Sequence, residues 1–531
     1  MEKYKPCQEG PPSTEVSYNP FKRKYILKLT KKPDESCSYS ENNLLANYAL
    51  TEDVYLRTSS QLAYVICKNS EGEKTYMNFH ILVPYNPLID LKIGIWNKQK
   101  KPPSILVLGI DTMSRLNFFR TMKLTSGTVL NDTNEWFPLE GYNKVGGNTF
   151  PNLMAVLKGW SVADVYRTCN PLSKYLDECP MIWKNFQNSG YVTAYGEDFD
   201  VDSTFNFFTR GFKGQPTDYY FIPMFMKASI GIRDLGKCLG YKYGPEMVFE
   251  YTIDFVKRFK NTPYFGFFWV NDFSHHYISE PTSMDSKVND YIKELLSEDI
   301  LDNTIVFLMS DHGVRFGKPR QVPFIGRHED FLPLMYIRLP EWLKKERKDI
   351  VHALKVNKNV LTSHFDLYMT FKSILDMSNP EFPIPDAMGC PMCQSLFQEI
   401  NQPRTCTSIG IPLEYCACED SIELCDKGTS FKVALAIVQY LNSKIEQHNK
   451  KSNVFCRHVD IQQLPTASLQ SNGLFRANVF LLPNGIVEGY AEKNKEGQFV
   501  VKNVQRIDTI GENASLVCPV EKDILEFCFC L

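Results

Sequence analysis

The sequence predicts an α/β fold: a largely parallel central sheet covered by helices, flanked by β-rich modules that carry cysteines. Three observations support this. First, five short runs are almost continuously apolar, at Ile105–Ile110, Tyr191–Tyr195, Tyr264–Val270, Thr304–Met309 and Pro333–Arg338. A strand with no polar face is buried on both sides, as strands are in a helix-covered parallel sheet. Second, helical patterns separate the runs, at Pro151–Lys158, Asp285–Ser297 and Phe365–Leu375. Third, acidic residues and histidines recur just after the runs. Asp111 follows the first, Glu197 and Asp198 the second, Asp272, His275 and His276 the third, and Asp311 and His312 the fourth.

Residues 1–100 read as an N-terminal β-rich module with three cysteines. Pro11 and Pro12 punctuate its start, and Lys24–Leu29 (KYILKL) alternates as a half-buried strand does. The charged, proline-bearing stretch 97–103 (NKQKKPP) marks its end. Residues 101–378 hold the apolar runs and form the α/β core. Residues 379–430 begin proline-rich and continue into a cysteine-rich segment. Residues 431–531 open with one amphipathic helix over Phe431–Asn449. Alternating segments then predict strands from residue 454 onward, closed by Cys528-Phe-Cys530.

A chain of 531 residues exceeds one ordinary hydrophobic core, in keeping with a large domain plus modules. Its 43% hydrophobic and 13% aromatic content suits packed structure rather than long disordered tracts. The formal net charge is -2, from 59 Lys+Arg against 61 Asp+Glu. Neither nucleic acid nor an anionic membrane is therefore an expected partner. The basic stretch Lys344–Lys348 reads as a solvated helix face.

The 16 cysteines are unevenly spread: ten lie from Cys390 onward, and none lies between Cys67 and Cys169 or between Cys238 and Cys390. Clustering outside the core predicts disulfides that tie down flanking modules. Reduced structural thiols are one alternative and a zinc ribbon another. Cys390-Pro-Met-Cys393 has knuckle spacing, but no clean second pair follows, and Cys416-Ala-Cys418 is too tight. Asn131-Asp-Thr133 and Asn513-Ala-Ser515 are glycosylation sequons, which fit an oxidising secretory route. The polar start Met1–Lys5 lacks a signal-peptide core, and no run is long enough to span a bilayer. The expectation is an extracellular or cell-surface protein whose export segment precedes the residues given.

In open parallel sheets ligands bind beyond the carboxyl ends of the strands. The acidic and histidine residues after the runs are therefore expected on one edge, and six of the nine histidines fall between His275 and His364. Such a collection suits zinc or a similar divalent ion, whereas a single strand-end aspartate is more often a helix cap. Gly146-Gly-Asn-Thr-Phe-Pro-Asn152 supplies a nucleophile candidate. Pro151 reads as the first turn of a helix that Gly159 closes. This puts the Thr149 hydroxyl at a helix N-terminus, where a tetrahedral anion binds and where a metal would activate the hydroxyl. On this segment alone, Thr149 reads equally well as an N-cap.

Leu108–Asn117 (LGIDTMSRLN), Gly147–Leu153 (GNTFPNL) and Met309–Gly317 (MSDHGVRFG) resemble the alkaline-phosphatase-like superfamily in wording, order and spacing. That superfamily includes sulfatases and nucleotide pyrophosphatase/phosphodiesterases, and the latter place a threonine nucleophile in the same Thr-Phe-Pro-Asn wording. With Ser395-Leu-Phe, Arg404-Thr-Cys and Tyr415-Cys-Ala-Cys418, the chain is more closely similar to an uncharacterised sulfatase-like family of extracellular animal proteins. The resemblance spans about residues 100 to 420 and implies a three-layer sandwich. It also implies one metal site made by Asp111, Thr149, Asp311 and His312, with zinc the favoured ion and calcium the alternative. In the phosphodiesterase branch a second site uses Asp-x-x-x-His and a later histidine, a pattern that Asp272, His276 and His328 match here. In the other reading His275 faces the substrate as in sulfatase-like sites, one metal remains, and His328 is a surface residue. The formylglycine motif of sulfatases is absent. Cys169-Asn-Pro-Leu-Ser-Lys174 matches it only loosely, and a threonine cannot become formylglycine.

The expected activity is metal-dependent hydrolysis of a phosphate ester, less readily of a sulfate ester, through a phospho-threonine. The substrate is an anionic ester of a glycan, nucleotide or lipid headgroup. Lys318, Arg315 and Arg320 follow the Asp311-His312 motif and read as a solvated loop. The alternatives are a pseudoenzyme that binds extracellularly on the same fold and a phosphoryl-group transferase.

Overall fold

The computed structural model describes residues 4–30, 35–96, 101–131, 135–199, 203–207, 209–231, 238–297, 299–322, 325–378, 384–451, 455–483 and 485–508. Seven strands form the central sheet: β1 (Ser104–Ile110), β2 (Trp136–Pro138), β3 (Val192–Glu197), β4 (Tyr219–Tyr220), β5 (Tyr264–Val270), β6 (Thr304–Met309) and β7 (Met335–Arg338). Their spatial order is β4-β3-β5-β1-β6-β7-β2. From β4 to β6 every pairing is parallel. β7 runs antiparallel to both its neighbours. The chain leaves β6 at Met309 and stays at that edge, so Met335 starts β7 opposite Met309 and the strand runs back.

The continuous apolar runs have a simple cause. Along β1, Ile105 and Val107 enter one core while Leu106, Leu108 and Ile110 enter the other. β5 divides the same way, with Phe265, Phe267 and Trp269 opposite Tyr264, Phe268 and Val270. Both faces are covered, so neither can be polar, and each fully buried large side chain contributes roughly 1.5–3 kcal/mol. Gly109 lies beside Trp269 in the sheet, and a Cβ there would sit 1.8 Å from the indole Cε3.

Eight helices matter for the site: α1 (Arg115–Thr121), α2 (Thr149–Lys158), α3 (Ile182–Asn188), α4 (Gly244–Phe259), α5 (Asp285–Leu295), α6 (Ile325–Phe331), α7 (His364–Ser378) and α8 (Lys427–Asn449). α2, α3 and α7 cover one face of the sheet; α1, α4 and α5 cover the other. The architecture is the expected helix–sheet–helix sandwich.

Before the core, two small antiparallel sheets span residues 14–81 around their own apolar cluster. Tyr25 and Leu27 are buried on the alternating strand Lys24–Leu29, and Cys37 pairs with Cys67 across adjacent strands. Cys7–Cys238 ties this module to the core. Cys169–Cys179, Cys390–Cys393 and Cys406–Cys416 complete five disulfides among described residues. The Cys390-Pro-Met-Cys393 knuckle is thus a disulfide, and its cysteines sit within the main core cluster. After the core, α8 starts at Lys427 because Asp426 caps Gly428 N (2.9 Å) and Thr429 N (3.1 Å). It packs on an antiparallel sheet that ends with strand Phe499–Arg506. Cys528-Phe-Cys530 lies outside the described residues. No helix among the described residues is long and apolar enough to cross a membrane.

Candidate metal centre and cleft

Asp111 leaves the carboxyl end of β1 with its amide still donating to Val270 O of β5 (2.8 Å). The backbone then turns at Thr112, whose φ of 55° lies in the left-handed region. For a β-branched residue this is strained, on the order of 1–3 kcal/mol. Hydrogen bonds hold the strain in place. Thr112 N donates to Asp311 Oδ1 (3.3 Å), and Thr112 Oγ1 donates to Asp111 Oδ2 (2.7 Å). Met113 N donates to Ser310 Oγ (2.9 Å), which in turn donates to the His312 carbonyl (3.0 Å). The loops after β1 and β6 are therefore bonded to each other, which brings Asp111 to Asp311 and His312.

These three residues are fully buried, and a potential ligand atom from each lies within 4.8 Å of the others. His312 Nδ1 lies 2.8 Å from the Gly313 carbonyl, which makes it the donor and leaves Nε2 as a bare lone pair. Nε2 faces Asp311 Oδ2 at 3.1 Å, and neither atom has a hydrogen-bond partner among the described residues. Burial drives the His312 pKa well below its ordinary value, with the nearby Arg315 and Lys144 cations adding to the effect. Burial, and then the charge of Asp111, drive the Asp311 carboxyl well above the usual carboxylate range. Two buried lone-pair atoms facing each other are repulsive and unsatisfied. A divalent cation resolves both problems, and this Asp/His set fits zinc.

Thr149 is the first residue of α2, and Asn148 before it makes no side-chain cap bond. The Thr149 hydroxyl does not cap the helix; it donates to Asp111 Oδ1 (3.0 Å). The entry loop is held by Asn152, whose Oδ1 accepts from Val145 N (2.8 Å) and Gly146 N (2.9 Å). Its Nδ2 donates to the carbonyls of Gly146 (3.1 Å) and Asn148 (2.9 Å). Gly159 closes α2 in the left-handed conformation, as expected.

A cleft of about 280 Å3 is lined by Thr149 and His275, with Arg315, Asn271, Glu197 and aromatic side chains around them. Burial, then Arg315 and His276, hold the His275 pKa below its ordinary value, against the opposing charge of Asp111. Glu197 accepts from Tyr195 Oη, from Thr204 N (2.9 Å) and Oγ1 (3.0 Å), and from Asn271 Nδ2 (3.1 Å). Burial nevertheless lifts its carboxyl to about 7. Asp198 accepts from Asn271 N (2.7 Å) and Asp272 N (3.2 Å), and burial followed by the Asp272 charge lifts it to about 8.

The remaining candidate residues do not join the cluster. Asp272 is partly buried beside Asp198, His276 is exposed, and His328 is partly buried on α6 away from the cleft lining. Among the described residues these three do not form a ligand group. Asn131 is exposed at the end of a helix, whereas its sequon partners and Asn513 lie outside the described residues. Lys318 is solvent-exposed as expected, but it opens the short helix Lys318–Gln321 rather than lying in a loop. Arg315 and Arg320 depart from that expectation. Arg315 lines the cleft and donates to Gly147 O (3.2 Å). Arg320 is buried against Asp330 and Glu488.

Two expected outcomes follow directly. Asp311→Asn removes a charge from the candidate site, so elemental analysis should find near-stoichiometric metal in the native chain and only traces in the variant. Gly313 supplies the carbonyl that orients His312, and a Cβ there would lie 1.6 Å from Glu329 O. Gly313→Ala should therefore displace the backbone beside the ligand, lowering metal affinity about 10–100-fold together with the melting temperature.

Residues 19–464 match the family model described as "Protein of unknown function (DUF229)". No curated protein matches the sequence. Similar solved structures include a lipoteichoic acid synthase from Listeria monocytogenes, with 12% identity over 56% of this chain and 75% of that chain and a TM-score of 0.38. A protein in the alkaline phosphatase superfamily from Vibrio parahaemolyticus aligns at 12% identity over 77% of this chain and 83% of that one, with a TM-score of 0.39. A phosphonate monoester hydrolase from Silicibacter pomeroyi aligns at 10% identity over 74% and 90%, also with a TM-score of 0.39.

Proposed function

We propose that this chain, which belongs to the DUF229 family, is a metal-dependent hydrolase of phosphate esters with Thr149 as its nucleophile. One observation carries the reading. The Thr149 hydroxyl is bonded to Asp111 Oδ1 (3.0 Å) within the same buried cluster whose Asp311 Oδ2 and His312 Nε2 have no hydrogen-bond partner among the described residues. Asp111, Thr149 Oγ1, Asp311 and His312 would hold one divalent ion, zinc favoured and calcium the alternative. When bound, the ion would lower the pKa of the threonine hydroxyl and offset charge on the ester oxygens.

The chain's own groups divide the remaining work. Asp111 Oδ1 already accepts the hydroxyl proton of Thr149, so it takes that proton as the oxygen bonds to phosphorus. The bond from phosphorus to the ester oxygen breaks in line, and the departing alkoxide takes a proton from solvent in the cleft. Arg315 faces the anionic oxygens of the phosphoryl group. His275 lines the cleft with Thr149 and hydrogen-bonds the departing oxygen through a ring N–H. Water then attacks the phospho-threonine and releases a proton to solvent, matching the one the departing alkoxide took; the phosphorus–threonine bond breaks, and Thr149 recovers its proton from Asp111. The five disulfides support an oxidising, extracellular setting.

The test is a screen of the purified chain, with zinc or calcium, against phosphomonoesters, phosphodiesters and sulfate esters. Metal-dependent cleavage of phosphate esters is expected. A metal-loaded chain that turns over none of them would reject hydrolysis and leave a binding protein. Transfer to an added alcohol in place of water would identify a transferase.

A further inference from the structure

The α/β core does not make the whole cleft. Asn503 and Gln505 also line it, from the last strand of the C-terminal sheet. Side chains alternate along a strand, and Val504 between them is buried in the cluster under α8. Asn503 and Gln505 therefore share the opposite face, which is turned to the cleft. Asn503 Nδ2 donates to the Tyr415 hydroxyl (3.0 Å), and Tyr415 also lines the cleft. The Gln505 amide makes no hydrogen bond among the described residues.

This wall is fixed to the metal-binding loop. Gly317 N, six residues after Asp311, donates to Ile507 O (3.0 Å), one residue beyond the strand. Arg320 Nη2 reaches Glu488 Oε1 of the same sheet (2.6 Å). Phe199, Phe207 and Phe316 line the cleft as well.

The charges in the cleft limit what can bind. Arg315 is placed for the reacting phosphoryl group. Arg506 is paired with Asp508 (2.7 Å). Glu197 has its oxygens occupied by four donors, so it is not set to receive an ammonium group. Away from Thr149 the cleft therefore offers amides and aromatic rings rather than an unpaired charge. That chemistry suits a neutral ring bearing hydroxyls, with an apolar face for the aromatics and an edge for the amides. About 280 Å3 is at the small end of ligand sites, in keeping with a compact group such as one ring.

We infer that the C-terminal sheet is the specificity wall of this site and that it takes a single sugar ring carried on the scissile phosphate. The inference rests on the phosphate-ester reading above. The test uses the full chain carrying Thr149→Ala and loaded with zinc, so that ligands bind without turnover. Inorganic phosphate, a hexose 6-phosphate, adenosine monophosphate and phosphoethanolamine are titrated calorimetrically. The hexose phosphate should bind about tenfold tighter than inorganic phosphate, the scale of one or two net hydrogen bonds. Adding Asn503→Ala and Gln505→Ala together should erase that advantage and leave phosphate affinity unchanged. Gln505→Ala alone should erase part of it, and because this amide has no partner among the described residues its removal leaves the bonds that hold the sheet in place. The inference is overturned if hexose phosphate and phosphate bind alike, if the nucleotide or phosphoethanolamine binds tightest, or if the double substitution leaves the advantage intact. If none of the four binds, the phosphate-ester reading itself fails, and the inference falls with it.

Discussion

Thr149→Ala is expected to lower kcat/KM for a phosphate ester by about three orders of magnitude or more, the scale of removing a nucleophile, while the fold stays intact. The hydroxyl bonds within the cluster through Asp111 Oδ1 (3.0 Å) and also bears on Asp311. Alanine is a good helix former, and α2 is held by buried residues beyond it, among them Phe150, Leu153 and Met154. Asp111 would lose one hydrogen bond but keep the one from Thr112 Oγ1 (2.7 Å). The stability change should therefore be small, about 1 kcal/mol. Thr149→Ser keeps the oxygen and should retain most of the activity, which separates loss of the nucleophile from loss of shape. Steady-state kinetics, metal content and a melting curve on the three proteins decide the matter. Full activity in Thr149→Ala would remove threonine from the mechanism. Equal loss in both variants would point to packing instead.

The legible parts of this molecule are those that local burial writes into local sequence. β1, β3, β5 and β6 could be read because each is buried on both faces, and α8 because Val433, Ile437, Leu441 and Ile445 recur at helical spacing. The carboxyl-end rule then placed Asp111, Asp311 and His312 on one edge of the sheet. Direction was harder to read. The run Pro333–Arg338 looks like the parallel strands, and only the path of the chain between Met309 and Met335 makes β7 antiparallel. Features made by distant partners were not legible at all. The left-handed Thr112 has no signature in its neighbours, since its support comes from Asp311. Arg315 and Arg320 are five residues apart in a basic stretch, yet one lines the cleft and the other is buried. Asn503 and Gln505 alternate like any strand residues, and only the docking of the C-terminal sheet brings them to the cleft. Asp272-x-x-x-His276 has the spacing of a metal pair, but spacing does not fix orientation, and Asp272 packs against Asp198 while His276 faces solvent.

That docking should depend strongly on Glu488. Its carboxylate accepts from Arg320 Nη2 (2.6 Å) and Nη1 (3.3 Å), from Arg476 Nη1 (3.4 Å) and from Tyr490 Oη (2.9 Å), and all four residues are buried. Arg320 continues to Asp330 (3.1 Å), which also pairs with the buried Lys144, whose charge is felt at His312. Glu488→Ala would leave the Arg320 guanidinium buried with one partner fewer, and removing one member of a buried ion pair typically destabilises by about 3–5 kcal/mol. Scanning calorimetry should show a clearly lower transition temperature. Activity should fall as well, because Gly317 and the loop carrying Asp311 are bonded to the same sheet. Replacing Arg320 and Glu488 together with apolar residues of similar volume should restore much of the stability, since no charge is then stranded. The pH dependence has a definite sign. Burial alone would raise the Glu488 pKa, but Arg320 and Arg476 outweigh it and bring the value down to about 2. The folded value lies below the ordinary value of about 4.3, so the stabilisation is fully present above that range and is lost as the pH falls toward 2. The native chain should thus lose stability relative to Glu488→Ala across that acid window. If the two melt alike at neutral pH, the ion network is not what holds the C-terminal sheet against the loop that carries Asp311.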